Sequence, residues 1–304
     1  VAEYSSDSLI ATIRLRAGLP DQALVTDAEI LKTINYELRA TILPMVIRAG
    51  AEYYVDFEDF APTTPGIYEI PSIAMGKKLR DVHIVGYHQD ENQRNVISVL
   101  PQLFLPNIAQ NQQYNFYRYY DQYGFVVQNN RIKTYPINAV QQGYVRMYYY
   151  RRPNLCVLEN EGSQITVISP TQFLVDSVPS GWGSTPTVDI IQSQPSFDCV
   201  DEAVTCTVLG NQFTCASTER MSTGDYVNLT GQTSYPQMPV DLQNMLIQTV
   251  CMRMYEIIRD QERLALAKTM FDVMKAETMD LISPRVDGRV IKITSKNNIG
   301  YYTQ

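Results

Sequence analysis

The apolar positions of this chain repeat with two different periods, and the changes between them divide it. Helical spacing comes first. After Ser5, Ser6 and Asp7, the residues Leu9, Ile10, Ile13 and Ala17 recur every three or four positions, and Gly18 followed by Pro20 is a usual helix stop. In the next run Thr26 and Glu29 have the spacing of a capping box. There Ile30, Leu31, Ile34, Leu38, Ile42, Met45, Val46 and Ala49 make one apolar stripe. Pro44 sits inside that stripe and is expected to kink it, because it lacks a backbone donor and crowds the preceding turn.

From Ala51 to Cys156 the pattern becomes short extended runs separated by Pro, Gly and Asn: IYEI, RDVHIVGYH, NVISVL, YGFVVQ, RIKTYP and YVRMYYYRR. A second β region, residues 160 to 238, holds SQITVIS, TQFLVDSV, TVDIIQ, AVTCTVLGNQFTCAS and GDYVNLTG. In the fourth of these, Gly210-Asn211 is a two-residue turn of the kind that matches strand twist. That register pairs Val208 with Phe213 and Cys206 with Cys215, and puts Val204, Cys206, Val208, Phe213 and Cys215 on one core-facing side. Helical spacing returns after Pro239. Leu242, Leu246, Val250, Met254, Ile257 and Ile258 form a stripe that Leu264, Ala267, Met270, Phe271, Met274 and Leu281 continue past the polar RDQER at 259–263. Ser283-Pro284 ends it.

The fold class this implies is α+β. Four amphipathic helices, two from each end of the chain, must bury their stripes against one another or a neighbouring subunit, so they form a discontinuous bundle. Residues 1–51 and 239–283 are its two parts. Residues 52–156 and 157–238 are large antiparallel β regions, the second an insertion, and 284–304 is an extended C-terminal tail.

Composition narrows the function. No stretch approaches the ~20 consecutive apolar residues of a membrane span, and the start VAEYSSDSLI lacks a secretory signal, so the expectation is a protein of the cytosol or of something assembled there, with no membrane partner. A net charge of −7 argues against a general nucleic-acid binder, whose phosphate contacts need a clustered cationic surface. Tyrosine is abundant, 21 against 9 Phe and a single Trp, which suits sheet surfaces and subunit interfaces. In YVRMYYYRR, the residues Tyr144, Arg146, Tyr148 and Tyr150 share one strand face, fit either for stacking bases or for cross-strand packing, and the second is favoured.

Signals of catalysis are few. Five cysteines show no CxxC spacing, and His83 and His88 fall on opposite faces of an extended run, so neither a metal nor any other cofactor is expected. No phosphate-binding loop, dinucleotide fingerprint, HExxH or GxSxG occurs. Asp56, Glu58 and Asp59 in DFEDF could hold an acid and base pair, as in a β-rich glycan-processing enzyme, but a solvated acidic strand or loop is the preferred reading. The chain is not expected to be an enzyme.

Three stretches resemble the head-to-tail adaptor, or connector, proteins of tailed bacteriophages. These are LIATIRLRAGLP...VTDAEILKTINYELRATILPMV at the start, TQFLVDSVPSGWGSTPTVDIIQSQPSF...GDYVNLTGQTSYPQMPVDLQNMLIQ in the second β region, and DLISPRVDGR near the end. The resemblance implies a structural protein of the virion neck, assembled in the host bacterial cytoplasm. About twelve copies would form a ring between the capsid portal protein and a tail tube or nozzle protein, with genomic DNA passing through the channel without specific binding. It also assigns the tail. In such adaptors the C-terminal extension docks into the portal, which here selects Arg285, Val286, Gly288, Arg289, Ile291, Ile293, Tyr301 and Tyr302. Alternation at Val290, Ile291 and Ile293 suits strand addition, and the two tyrosines suit aromatic anchoring.

Overall fold

The computed structural model describes residues 4–19, 24–49, 53–63, 66–86, 96–102, 124–135, 143–193 and 197–282. Helix α1 (Ser6–Ala17) starts where the Ser5 hydroxyl accepts the Ser8 amide hydrogen, and ends at Gly18 in the left-handed conformation, φ 66°. Helix α2 (Asp27–Glu37) opens on the full capping box. Thr26 Oγ1 accepts from the Glu29 amide, and the Glu29 carboxylate accepts from the Thr26 amide at 2.8 Å.

Pro44 follows a change of helix type. A single π turn, Leu38–Ile42, widens the helix ahead of it, with the Leu43 amide donating to the Leu38 carbonyl five residues back. Pro44 then falls in the first turn of α3 (Leu43–Arg48), where a missing amide hydrogen costs nothing. Near the other end, α4 (Gln243–Ile258) and α5 (Gln261–Ile282) are separate helices. Arg259 takes a left-handed φ of 61° to end the first, and Asp260 Oδ1 accepts the Arg263 amide to begin the second.

One apolar core draws on all five helices. It contains Leu9 and Ile13 from α1, Ile30 and Ile34 from α2, Met45 and Val46 from α3, Leu246, Val250 and Met254 from α4, and Leu264 and Ala267 from α5. Each fully buried Leu or Ile is worth ~1.5–3 kcal/mol, so the early and late helices hold each other in place. Glu37 is wholly buried among them. Arg253 Nε donates to it at 2.7 Å and the Thr41 hydroxyl at 2.6 Å.

The chain between the helices forms two β units. In the first, β1 (Val55–Phe60), β7 (Tyr144–Arg151), β3 (Ala74–Val85) and β4 (Val96–Val99) pair antiparallel in that order. Beside them β2 (Ile67–Glu69), β6 (Arg131–Tyr135) and β5 (Gly124–Gln128) make a three-stranded sheet, and Tyr68 and Ile132 share a core with Val82, Val145 and Met147 of the larger one.

The second unit is a closed barrel. Its strands are β9 (Ser163–Ser169), β10 (Gln172–Val175), β11 (Thr187–Ile191), β12 (Cys199–Thr205), β13 (Thr207–Leu209), β14 (Gln212–Thr214) and β15 (Tyr226–Leu229), ordered β12-β11-β15-β9-β10-β14-β13. The two outermost strands, β12 and β13, are successive parts of one run separated only by Cys206. Backbone bonds from Cys206 to Pro186 and from Val208 to Ser184 carry that run alongside the approach to β11 while it also pairs with β14. The sheet therefore meets itself where this run begins β13. A register shift in β12, with Ala203 at φ 51°, gives the bend that closure needs. Ile165, Phe173, Val188, Ile190, Phe213 and Val227 fill the interior.

The hairpin register is the one the turn predicts. Thr207 faces Thr214, Val208 faces Phe213 and Leu209 faces Gln212. Cys206 and Cys215 follow one step further along the two strands, both buried and free. Where the chain enters and leaves the barrel, β8 (Leu155–Cys156) pairs parallel with β16 (Gln232–Thr233). The helices grip this neck. The Asn35 side chain bonds both backbone groups of Cys156, at 2.9 and 2.7 Å, and Ser6 donates twice to the Ser234 carbonyl.

Candidate functional site

The tail residues Arg285, Val286, Gly288, Arg289, Ile291, Ile293, Tyr301 and Tyr302 lie outside the described residues, as does His88. The other sequence candidates converge on strands β1 and β7.

DFEDF is part of β1, at the edge of the first sheet, and its carboxylates separate by face. Asp59 stands opposite Arg146 and receives two bonds from its guanidinium, at 2.7 and 2.8 Å. The Phe57 ring lies under the same guanidinium, 4.2 Å from its centre, and Tyr148 packs on both Phe57 and His83. The Tyr/Arg face is thus closed by cross-strand packing, with the Arg146 charge neutralised and its flat side covered. Its pKa moves up, first through the bond to Asp59. A nucleobase would have to displace a bidentate pair to reach it.

Asp56 and Glu58 point to the other face, toward the junction with the barrel. Burial, followed by repulsion from Asp56, pushes the Glu58 carboxyl above its usual range. Across the junction Glu202 of β12 pairs with Arg151 at 2.7 Å, and its carboxyl is also raised, by burial first, with Arg151 opposing the shift. These carboxylates surround one arginine that holds the two β units together. Of the DFEDF carboxylates, Asp59 is committed to Arg146, while Asp56 and Glu58 share the other face.

Arg151 borders a polar cavity of about 200 Å³ between the first sheet, the barrel and the segment leading to α4, lined among others by Tyr53, Tyr54, Asp56, Asp198, Cys199 and Gln237. The Tyr54 hydroxyl donates to the Gln237 carbonyl, and the Gln237 side-chain carbonyl accepts the Asn154 amide. Among the described residues Arg151 Nε and Gln237 Nε2 are buried without an acceptor. Burial raises the Cys199 thiol to about 12, which leaves it a poor nucleophile. This junction went unremarked in the sequence reading, although a signal was present. The buried alternation Val145, Met147, Tyr149 continues onto Arg151, and a cation on a core-facing row calls for a partner.

On the helical side, α5 changes character along its length. Leu264 and Ala267 are buried, but Leu266, Met270 and Val273 are exposed. Among the described residues no group of three or more His, Cys, Asp or Glu side chains is placed to hold a metal ion, and no helix is long and apolar enough to cross a membrane. No protein-family model matches the chain, and no curated protein matches it.

Proposed function

We propose that the protein is a structural adaptor of a tailed-phage virion. Copies of it form a ring, twelve on the family resemblance, that joins the capsid portal to a tail tube or nozzle protein and leaves a channel for DNA. The observation that supports this reading most is the helical layer. Helices from the two chain ends share one core, both β units depart from it, and α5 leads directly from it into residues 284–304. In this reading the two parts of a discontinuous bundle line the ring, the β units reach outward or toward the tail, and the C-terminal segment docks into the portal through Arg285 to Ile293 and Tyr301-Tyr302. The charge of −7, repeated around a ring, disfavours adhesion of passing phosphates. The pairing of Arg146 with Asp59 weighs against the nucleic-acid alternative, and removes Asp59 from the carboxylates open to the glycan-processing one.

Electron microscopy of the chain alone and mixed with its portal tests the reading. Rings are expected only with the portal, and deletion of residues 284–304 should leave the helical circular dichroism intact while abolishing portal binding. Binding by the shortened chain at unchanged affinity would refute the docking role.

A further inference from the structure

Two of the five thiols come together across a strand pair. Thr207 stands opposite Thr214 and Val208 opposite Phe213, so Cys206 and Cys215 are opposite one another a step further on. Their backbone amides show which kind of pair they make. Cys206 donates to the Pro186 carbonyl and Cys215 to the Thr171 carbonyl, each on the side away from the other, as in a non-hydrogen-bonded pair. Such partners lie about 4.5 Å apart at Cα, and a disulfide spans roughly 4.4–6.8 Å. Both side chains belong, with Phe213 and Ile165, to the apolar interior of the barrel.

The other three thiols sit on different elements. Cys156 lies in the neck, Cys251 in α4 with its sulfur toward the Ile13 carbonyl, and Cys199 at the far end of β12. Both thiols of the pair are reduced, Cys206 donating weakly to the Val204 carbonyl and Cys215 to that of Ser217. Burial, and after it the Cys215 thiol, raise Cys206 to about 12, and burial raises Cys215 as well. Cys215 is the more accessible of the two, 8% against 1% exposed, so an oxidant meets it first.

We propose that Cys206 and Cys215 are a redox staple, open in a reducing compartment and closed to a cross-strand disulfide outside it. With oxidised glutathione, the Cys215 thiolate attacks one sulfur of the oxidant, forming a mixed disulfide and releasing one glutathione. Cys206 then attacks the Cys215 sulfur, and the second glutathione leaves. Two thiol protons and two electrons pass to the oxidant, which ends as two glutathione thiols. The new bond ties β14 to the run that closes the barrel and restricts the unfolded chain between residues 206 and 215. The staple itself stands on the strand register. Its timing rests on the adaptor reading, since a neck protein is made where glutathione keeps thiols reduced and leaves with the particle for an oxidising exterior.

The test treats the folded full chain with oxidised glutathione, quenches it in acid, alkylates it after unfolding and digests it with chymotrypsin. Cleavage after Leu209 and Phe213 leaves only the bridge to hold Cys206 and Cys215 together. Mass spectrometry should then find a chain lighter by two hydrogens, a 206–215 cross-link, and alkylation at Cys156, Cys199 and Cys251. Amide exchange across residues 207–214 should slow by at least about tenfold, and excess reduced glutathione should reverse both changes. Cys206→Ala should instead hold glutathione on Cys215, because the resolving thiol is gone. A folded chain that keeps both thiols free, or joins either one to Cys156, Cys199 or Cys251, would overturn the proposal and leave the adaptor reading standing. A bridge that leaves exchange across 207–214 unchanged would overturn it as well. A bridge in a chain that never forms rings with the portal would keep the staple and remove the adaptor.

Discussion

The barrel's sheet returns on itself through the β12–β13 run, and Phe173, Phe213, Val188, Ile190 and Val227 fill the interior with two thiols for company. The helical layer is arranged the other way round. It keeps a carboxylate, Glu37, in its centre and an apolar row, Leu266 to Val273, on its outside. The barrel turns its apolar row inward and leaves Ile168, Leu174 and Leu209 exposed on its strands. The helical layer exposes a row along one helix and buries a charge that needs a partner. The contrast is therefore in what each core must satisfy: volume in the barrel, volume and a charge in the helices.

The largest effect expected from testing that contrast comes from emptying the barrel. Phe213 is fully buried, stacked on Phe173 at 5.2 Å and edge-on to Trp182 at 5.8 Å. Phe213→Ala should cost about 3–5 kcal/mol through lost contacts and the cavity left behind. Hydrogen exchange measured by mass spectrometry should show the loss in residues 163–229 and spare α1, α2 and α4. Equal loss of protection in those helices would mean that the neck, Asn35 with Cys156 and Ser6 with Ser234, fuses barrel and helices into one cooperative unit.

The helical layer should respond to charge where the barrel responds to volume. Arg253→Met leaves the Glu37 carboxylate buried with only the Thr41 hydroxyl. Breaking a buried pair from one side costs about 3–5 kcal/mol, and because Arg253 is 45% exposed we expect about 2–3 kcal/mol by urea denaturation. Adding Glu37→Leu should recover most of it, since an apolar pair of similar volume removes the stranded charge. A double variant as unstable as Arg253→Met alone would show that Glu37 serves the packing of the π turn rather than the ion pair.

How much of this was legible in the sequence depended on how far apart the interacting residues are. The cap of Thr26 with Glu29, the stop at Gly18 and the hairpin at Gly210 each involve residues within four positions, and their spacing states their geometry. The strands were readable from their alternation, as Val145, Met147 and Tyr149 show. Barrel closure was not, because it depends on Cys206 reaching Pro186 and on β15 lying beside β9, pairings that leave no periodic trace. Pro44 illustrates a different limit. Proline chemistry says that a helix bond must be lost, and a kink and a π turn both comply. For the candidate sites, DFEDF could be found by composition, yet the fate of Asp59 was set by Arg146, 87 residues away. Of the exposed row on α5 only Met270 stood in the helical stripe, without Leu266 or Val273; solvent exposure was needed to divide Leu264 and Ala267 from it.

The smallest effect isolates the backbone from the packing. At the tip of the β13–β14 hairpin only Gly210 of the two turn residues takes a positive φ, 61°, and a methyl group added there would meet nothing within 4 Å. Gly210→Ala therefore changes conformation energy alone, since an L side chain in this region costs about 1 kcal/mol by crowding its own carbonyl. Gly183, in the approach to β11, is the control. It too has open space around the added atom, but its φ is not in the left-handed region. Gly183→Ala should be neutral or stabilising by up to ~1 kcal/mol, because it restricts the unfolded chain without straining the folded one. Differential scanning calorimetry of the two variants should thus move the barrel transition in opposite directions, or move it only for Gly210→Ala. A loss at Gly183→Ala as large as at Gly210→Ala would mean that some contact other than turn geometry holds this end of the barrel.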